Sequence, residues 1–431
     1  MNLARRLLFH LARQGYNVVI HLLIPAALLH FLWRARREPA YGQHIGERLC
    51  RGPAPAPAPD FWIHAVSLGE MRVAGTLIEA LVQQHPDLRI QLTTVTPAGR
   101  AEGGRLQAGG LPVDVRYLPL DSPLLVRRFI RQLRPRALVL IETELWPNLL
   151  WECRRSGLPA MLANARLSPR LRDTYRRFRA LYGPLLAGLD WVAAQSPADA
   201  AHFRALGATR VEVAGNLKFD AAPGSARTDL VRSHFLGERL WVAGSTHPGE
   251  ETRLIEIHHR LCERYPHSLI QLLLAPRHPA RAESIVAEVK EAGLSAVARS
   301  QMDPSGTAAD VIVLDTLGEL AALYALGDAA FVGGSLVDHG GQNPLEPIAA
   351  GCPVILGPDT RNFADMVALL VEAGAVLQVA DADALFAALN GLLVDREPAR
   401  ELARHAQETV GIHRGATERT LALLSPQLRP D

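Results

Sequence analysis

FWIHAVSLGE (61–70) begins as an apolar, aromatic and β-branched run and ends as the opening of a helix. A short run without polar alternation reads as a strand buried on both faces, the habit of parallel sheets covered by helices. Ser67-x-x-Glu70 then has the spacing of a capping box, in which the hydroxyl accepts from the amide three residues on and the glutamate reaches back. Strand, tight junction and helix make the repeating unit of a parallel α/β sheet.

That unit recurs outward along the chain. IQLTTVT (90–96), ALVLIE (137–142), PAMLANA (159–165) and WVAAQ (191–195) are apolar runs, each closed by a Gly/Pro/Ser break and followed by a helical pattern. A second series starts after the turn-rich segment GNLKFDAAPGSART (215–228): LWVAGS (240–245), SLIQLLLA (268–275), DVIVLD (310–315), AAFVGGS (329–335) and PVILG (353–357). A chain of 431 residues that is 48% hydrophobic can bury a core for each series. The fold expected is α/β, with two Rossmann-like lobes facing a cleft: a first lobe over 51–214, a linker over 215–228 and a second lobe over 229–431. In open α/β sheets ligands bind beyond the carboxyl ends of the strands, so functional residues are expected just after those runs.

Ahead of the Pro/Ala-rich stretch RGPAPAPAPD (51–60) lies an N-terminal membrane segment, 1–50. Residues 15–33, GYNVVIHLLIPAALLHFLW, carry no formal charge and are flanked by Arg5, Arg6 and Arg13 before and Arg34, Arg36 and Arg37 after. At about 1.5 Å per residue this length just matches a hydrocarbon core of roughly 30 Å. His21, His30 and the helix-bending Pro25 count against a span. The segment reads as an uncleaved anchor, either spanning or lying in the interface, and the alternative is a buried core helix.

The formal net charge is only +2, but Arg127, Arg128, Arg131, Arg134 and Arg136 crowd one segment, and Arg170, Arg172, Arg176, Arg177 and Arg179 another. Such clusters suit phosphate-bearing partners or an anionic membrane face, or form solvated helix faces. With 6% aromatic residues overall, and only Phe129, Tyr175 and Phe178 among these arginines, no nucleic-acid partner is expected. Cys50, Cys153, Cys262 and Cys352 stand far apart with no Cys-x-x-Cys pair, and the 16 histidines are scattered, so neither disulfides nor a metal is expected.

Three junctions share the form [Ser/Thr/Asn]-x-x-Glu: Ser67 to Glu70, Thr316-Leu317-Gly318-Glu319 and Asn343-Pro344-Leu345-Glu346. Each can cap a helix, with Pro344 at its first position, or place a carboxylate where a ligand binds. Glutamates so placed suit the transfer of a sugar from a nucleotide to an alcohol, which needs a base for the hydroxyl proton and groups that hold the departing phosphate. Lys218, Arg277, His278 and the amides of Gly333, Gly334, Gly340 and Gly341 are candidates for holding that charge.

HAVSLGE (64–70), TTVTPAG (93–99), ETELWPN (142–148), NARLS (164–168), GNLKFD (215–220), STHPGEE (245–251), LAPRHP (274–279), DTLGEL (315–320) and GGSLVDHGGQNPLE (333–346) occur in the order and spacing of one family. With these motifs the chain resembles, over nearly its whole length, the 3-deoxy-D-manno-octulosonic acid (Kdo) transferases acting on lipid IVA. It departs from the family pattern mildly, at Gln342 and at Asp338-His339.

The resemblance implies a GT-B glycosyltransferase of lipopolysaccharide biosynthesis. It would move Kdo from CMP-Kdo, a co-substrate rather than a cofactor, to the 6'-hydroxyl of the lipid A precursor with inversion. The place would be the cytoplasmic face of the bacterial inner membrane, in contact with anionic lipids. By the same resemblance Glu70 is the general base. Lys218 and one of Glu142 and Glu144 assist at the transition state, and strand alternation places those two glutamates on one face without choosing between them. Pro276, Arg277, Leu317, Gly318, Glu319, Asn343, Pro344, Leu345 and Glu346 make up the CMP site. The rival readings are a GT-B lipid glycosyltransferase with a UDP-sugar donor, and an inactive membrane-bound scaffold that keeps the fold.

Overall fold

Every apolar run named above contains a strand, and the strands form two seven-stranded sheets in which all neighbours pair in parallel. The computed structural model describes residues 3–428 except Pro53, Ala56, 221–227 and Pro304, so most of the linker expected over 215–228 lies outside the described residues. The first sheet comprises β1 (Phe61–His64), β2 (Ile90–Thr94), β3 (Val113–Tyr117), β4 (Ala137–Ile141), β5 (Ala160–Ala165), β6 (Trp191–Ala194) and β7 (Val211–Val213), in the order β3-β2-β1-β4-β5-β6-β7. The second comprises β8 (Arg239–Thr246), β9 (Ile270–Pro276), β10 (Ala296–Ala298), β11 (Val311–Val313), β12 (Ala329–Val332), β13 (Val354–Leu356) and β14 (Leu377–Gln378), in the order β10-β11-β9-β8-β12-β13-β14.

The four strands that the apolar runs did not announce, β3, β7, β10 and β14, are the outermost strands of the two sheets. An edge strand is covered less fully, so its sequence carries less of the continuous apolar signal. VDVRY of β3 alternates between buried and open positions, whereas β1, β2 and β4 are buried throughout.

Helices close both faces of each sheet through apolar stripes. In Pro123–Leu133, Val126, Phe129, Ile130 and Leu133 are buried at the i, i+3, i+4, i+7 spacing of one helix face. Burying each contributes about 1.5–3 kcal/mol. Arg127, Arg128 and Arg131 are left on the other face, so the arginine cluster follows in part from helix periodicity. The cysteines are free thiols, with Cys50, Cys153 and Cys352 buried and Cys262 half-buried.

The chain divides into two compact units, Met1–Ala221 with His413–Asp431, and Ala222–Ile412. The second lobe therefore does not extend over the whole of 229–431 as expected. The last helix, Ala416–Leu428, belongs to the first unit: Ala416, Leu421 and Leu424 are buried in the core under β1, β2 and β4. Asp220 holds its start, accepting from the amides of Gly415 (2.8 Å) and Thr417 (2.5 Å).

The N-terminal helix runs from Leu3 to Arg34 without interruption at Pro25. From Arg6 to Arg34 it is long and apolar enough to cross a membrane, by length and composition.

Candidate active site

In both sheets the order of strands reverses direction at one place, between β1 and β4 in the first and between β8 and β12 in the second. The chain leaves two adjacent strands in opposite directions there and opens a crevice at their carboxyl ends. The charged residues singled out in the first unit gather at that point.

Glu70 lies in the first turn of the helix Leu68–Gln84 that follows β1. The capping box is formed: the Glu70 amide donates to Ser67 Oγ (3.4 Å), Ser67 Oγ donates to Glu70 Oε1 (2.9 Å), and the Val66 amide donates to Glu70 Oε2 (2.8 Å). Burial nevertheless raises the Glu70 pKa. The hydrogen bond from Val66 opposes the rise, the charge of Glu142 adds to it, and Ser67 and Lys218 work against it. A carboxylate already fixed in direction, yet more basic than an ordinary glutamate, is suited to accept a proton.

Glu142 follows β4 with a left-handed backbone, φ +62°, a conformation that costs a non-glycine residue energy and that collects at functional sites. Because β4 ends at Ile141, strand alternation does not extend through Glu142 and Glu144, and the expectation of a shared strand face fails. The two differ in surroundings instead. Glu142 Oε1 lies 3.0 Å from Lys218 Nζ. Glu144 is pushed up to about 7 by burial and then by the charges of Glu70 and Glu142.

Lys218 owes its place to alternation within a short 3-10 turn, Leu217–Asp220, in which Leu217 and Phe219 are buried on either side of it. Asn216 Oδ1 accepts from the Lys218 amide (3.0 Å), and Asn164 Oδ1 accepts from the Leu217 amide (2.9 Å). Asn164 is almost wholly buried, has φ +54° and sits in β5, so a second strained residue positions the lysine. The sequence reading gave Asn164 no role. Its signals are its place at the head of NARLS (164–168) and a polar, turn-forming residue at the end of an otherwise apolar strand.

The second unit presents its residues differently. Pro276 ends β9 and is buried, and Arg277 follows with an exposed side chain. Leu317 is 83% exposed beside Gly318 at φ +84°. Glu319 is nearly buried and engages Thr316, Thr228 (2.8 Å) and Arg299 (2.9 Å). Burial works to raise its pKa, but those three hydrogen bonds prevail and hold it below the usual glutamate range. The N-cap of the short helix after it, Leu320–Leu323, is Glu319 itself, so Thr316 does not cap that helix as expected. Asn343 Oδ1 accepts from the Leu345 amide (3.1 Å), Pro344 is the N-cap rather than the first helical residue of Leu345–Ala349, and Glu346 is half-buried in its first turn.

The glycine amides proposed as an anion cradle are already engaged. Gly333 donates to Gly244, Gly334 to Glu250, Gly340 to Asp359 and Gly341 to Gly334. Glu250, fully buried, accepts from the amides of His247, Gly334, Ser335 and Leu336 at 2.7–3.0 Å. A residue without an assigned role thus takes, with its own carboxylate, the Gly334 amide and those of the two residues after it, and the other three glycine amides are held elsewhere. Stacked beside this loop are His247 and His339, ring centroids 4.1 Å apart, with Gln342 Nε2 3.0 Å from His247 Nε2. Among the described residues no group of three or more His, Cys, Asp or Glu is arranged to hold a metal ion.

Two parallel Rossmann-like sheets, each with a polar constellation at its switch point, define the GT-B class of glycosyltransferases. The fold is similar to that of Acinetobacter baumannii MurG, with a TM-score of 0.55 at 14% identity over 85% of this chain and 100% of that one. Residues 295–409 match the family model described as "Glycosyl transferases group 1", and residues 43–221 the one described as "3-Deoxy-D-manno-octulosonic-acid transferase (kdotransferase)". The chain is 38% identical to the 3-deoxy-D-manno-octulosonic acid transferase of Haemophilus influenzae, over 91% of this chain and 93% of that protein. It is 40% identical to the enzyme of the same name from Bordetella pertussis, over 97% and 100%. The chain belongs to the 3-deoxy-D-manno-octulosonic acid transferase family and is a Kdo transferase.

Proposed function

We propose that the chain transfers Kdo from CMP-Kdo to the 6'-hydroxyl of a lipid A precursor, lipid IVA, with inversion at the anomeric carbon. The observation that carries this reading is the cluster in the first unit: three glutamates and one lysine at the switch point, with Glu70 held by its cap and made more basic than usual. Glu70 takes the proton of the acceptor hydroxyl, whose oxygen attacks the anomeric carbon of Kdo. The bond from that carbon to the phosphate oxygen breaks, and CMP leaves with the electron pair. Inversion follows from a single displacement on the face opposite the leaving group.

Lys218, positioned by Asn164 and Asn216, offsets negative charge developed in that displacement, and Glu142 fixes the ammonium. In this reading Glu142 acts with Lys218. Glu144, about half protonated near neutrality, lessens the charge crowded around Glu70. Pro276, Arg277, Leu317, Gly318, Glu319, Asn343, Pro344, Leu345 and Glu346 form the CMP site, with Arg277 supplying positive charge and Glu346 accepting from ribose hydroxyls. No cofactor enters the scheme. The helix Leu3–Arg34 keeps the enzyme at anionic lipid of the inner membrane, on its cytoplasmic face, where such an acceptor resides.

Purified protein is offered CMP-Kdo or UDP-sugars with a lipid A precursor, and the lipid product is weighed by mass spectrometry. A mass gain of Kdo from CMP-Kdo alone is expected. Transfer from UDP-sugars alone overturns the donor assignment.

A further inference from the structure

The helix Leu3–Arg34 is fastened to the first unit along one stripe and bare on the rest of its circumference. Phe9 is buried on that stripe and Ala12, Tyr16, Ile20, Ile24 and Phe31 are half-buried, at steps of three, four or seven residues. The fastening runs from end to end. Phe9 packs on Trp151 with ring centroids 5.2 Å apart, and the Arg13 guanidinium lies 4.5 Å over the same indole. Tyr16 donates to Asp121 Oδ2 (2.8 Å), and His21 Nε2 is 3.5 Å from Ser122 Oγ. Arg48 places its guanidinium 4.4 Å over the Phe31 ring. From Phe9 to Phe31 the helix advances about 33 Å, more than the thickness of a hydrocarbon core.

A helix cannot cross a bilayer while a globular unit covers one of its sides over that whole distance. Crossing would carry Arg48 and Asp121 into hydrocarbon, or break each contact and deprive the buried Asp121 of its phenol donor. Yet the bare face is too apolar for water: Leu3, Leu11, Val18, Leu22, Leu29 and Trp33 are all more than half exposed. The body adds exposed apolar side chains near this helix. Leu124, 71% exposed, stands two residues beyond Ser122, and Phe178, 53% exposed, precedes the helix Arg179–Leu186 that packs against the N-terminal helix. Exposed arginines border it, with Arg6 near one end, Arg36 and Arg37 at the other, and Arg177 and Arg179 beside Phe178.

We propose that this face is a monotopic docking surface for one leaflet of a bilayer bearing anionic phospholipids. The helix lies in the plane of the interface, sunk by roughly its own apolar face, while the arginines reach phosphate headgroups. The N-terminus and the catalytic body are then on the same side of the membrane. The arrangement also sets the height of the site above the lipid. Arg48, which grips Phe31, donates to the carbonyl of Val95 (2.7 Å) just beyond β2, on the same sheet edge as the switch point that carries Glu70. An acceptor held in the leaflet by its acyl chains meets that edge without leaving the membrane.

This inference rests on the membrane association proposed above, and the test separates the two. Full-length protein with a cleavable tag ahead of Met1 and a capture tag at its C-terminus is reconstituted into sealed vesicles of phosphatidylethanolamine and phosphatidylglycerol. Reconstitution is kept to no more than one molecule per vesicle and vesicles are captured through the C-terminal tag, so each molecule counted has its body outside, and a membrane-impermeant protease is added. The N-terminal tag is expected to be removed to the same extent with and without detergent. A tag protected until detergent is added overturns the in-plane arrangement while leaving membrane association standing. Protein that does not bind vesicles at all removes both. Replacing phosphatidylglycerol with phosphatidylcholine is expected to weaken binding by about fivefold for each arginine at the surface. Unchanged binding overturns the role given to anionic headgroups.

Discussion

Replacing Glu70 by glutamine separates its two roles, because glutamine keeps the shape and the acceptor oxygen but not the basicity. In the structure the carboxylate receives one hydrogen bond from the Val66 amide (2.8 Å) and one from Ser67 Oγ (2.9 Å). The glutamine carbonyl can still accept from Val66, and its amide can donate to Ser67 Oγ, so the change in stability is within about 1 kcal/mol. Alanine loses both bonds and the box that starts the helix Leu68–Gln84, at a cost of about 1 kcal/mol, or roughly 2–4 °C in Tm. Loss of a general base removes about 10²–10⁴ in rate, equivalent to roughly 3–5 kcal/mol of barrier. The chemical effect therefore exceeds the structural one severalfold. Glu70→Gln is expected to show a Tm close to wild type, kcat lower by two to four orders of magnitude, and KM for both substrates nearly unchanged, since the base acts only in the transition state. Thermal unfolding by circular dichroism and steady-state assay of the lipid product measure these quantities. A Glu70→Gln enzyme that turns over within about threefold of wild type returns this glutamate to helix capping and refutes the assignment.

Lys218→Met leaves Glu142 unpaired beside Glu70 and Glu144, so kcat should fall and the acidic limb of the pH–rate profile should move to higher pH; an unmoved limb argues that the lysine charge does not reach Glu70. Glu346→Ala should raise the KM for CMP-Kdo with a smaller change in kcat, and an unchanged donor KM removes Glu346 from the CMP site. Glu144, at about 7 when folded against about 4.3 when unfolded, binds its proton more tightly in the folded state. Its contribution to stability is present below the unfolded value and is lost as pH rises through about 7. Urea midpoints of wild type should fall across that window and those of Glu144→Gln should fall less steeply, the remainder coming from Asp121, raised by burial to about 6. Parallel curves would show that Glu144 is not perturbed.

The sequence disclosed the central strands and lost the edges for one physical reason. A strand covered on both faces must be apolar at every position, as ALVLI of β4 is, and it announces itself without regard to its neighbours. VDVRY of β3 carries polar residues on its open positions, and VEV of β7 is only three residues long with Glu212 and Val213 both open, so each resembles loop or helix surface until a partner strand is known. The return of the last helix to the first unit was hidden for another reason. Asp220 and Gly415, whose hydrogen bond seats that helix, are 195 residues apart, and no local pattern encodes such a pairing. At the site, residue types and their places after strands were legible, because the Ser67-x-x-Glu70 junction carries its own geometry. What each group touches was not. Glycines at 333, 334, 340 and 341 advertise amides without disclosing that Gly244, Glu250, Asp359 and Gly334 have taken them.

The two units place a glutamate after the first strand of the switch point, and they solve the burial of its charge in opposite ways. Glu250, after β8, is completely enclosed and accepts four backbone amides, three of them from the segment that leaves β12, so its carboxylate ties the two sides of the crevice together. Burial raises its pKa as it does that of Glu70, against those four hydrogen bonds, but nearly every lone-pair direction is used and little remains to accept a substrate proton. Glu70, after β1, receives only two donors, stays half-buried, and across the switch point faces Glu142, a carboxylate, rather than a row of amides. Its charge is therefore under-compensated, with Lys218 as the nearest relief shared with Glu142. A saturated carboxylate serves as scaffold and an under-satisfied one as a reagent. The difference lies in what the second strand of each switch point offers, backbone amides after β12 and a strained glutamate after β4, and that contrast supports the proposal that Glu70, rather than Glu250, takes the acceptor proton.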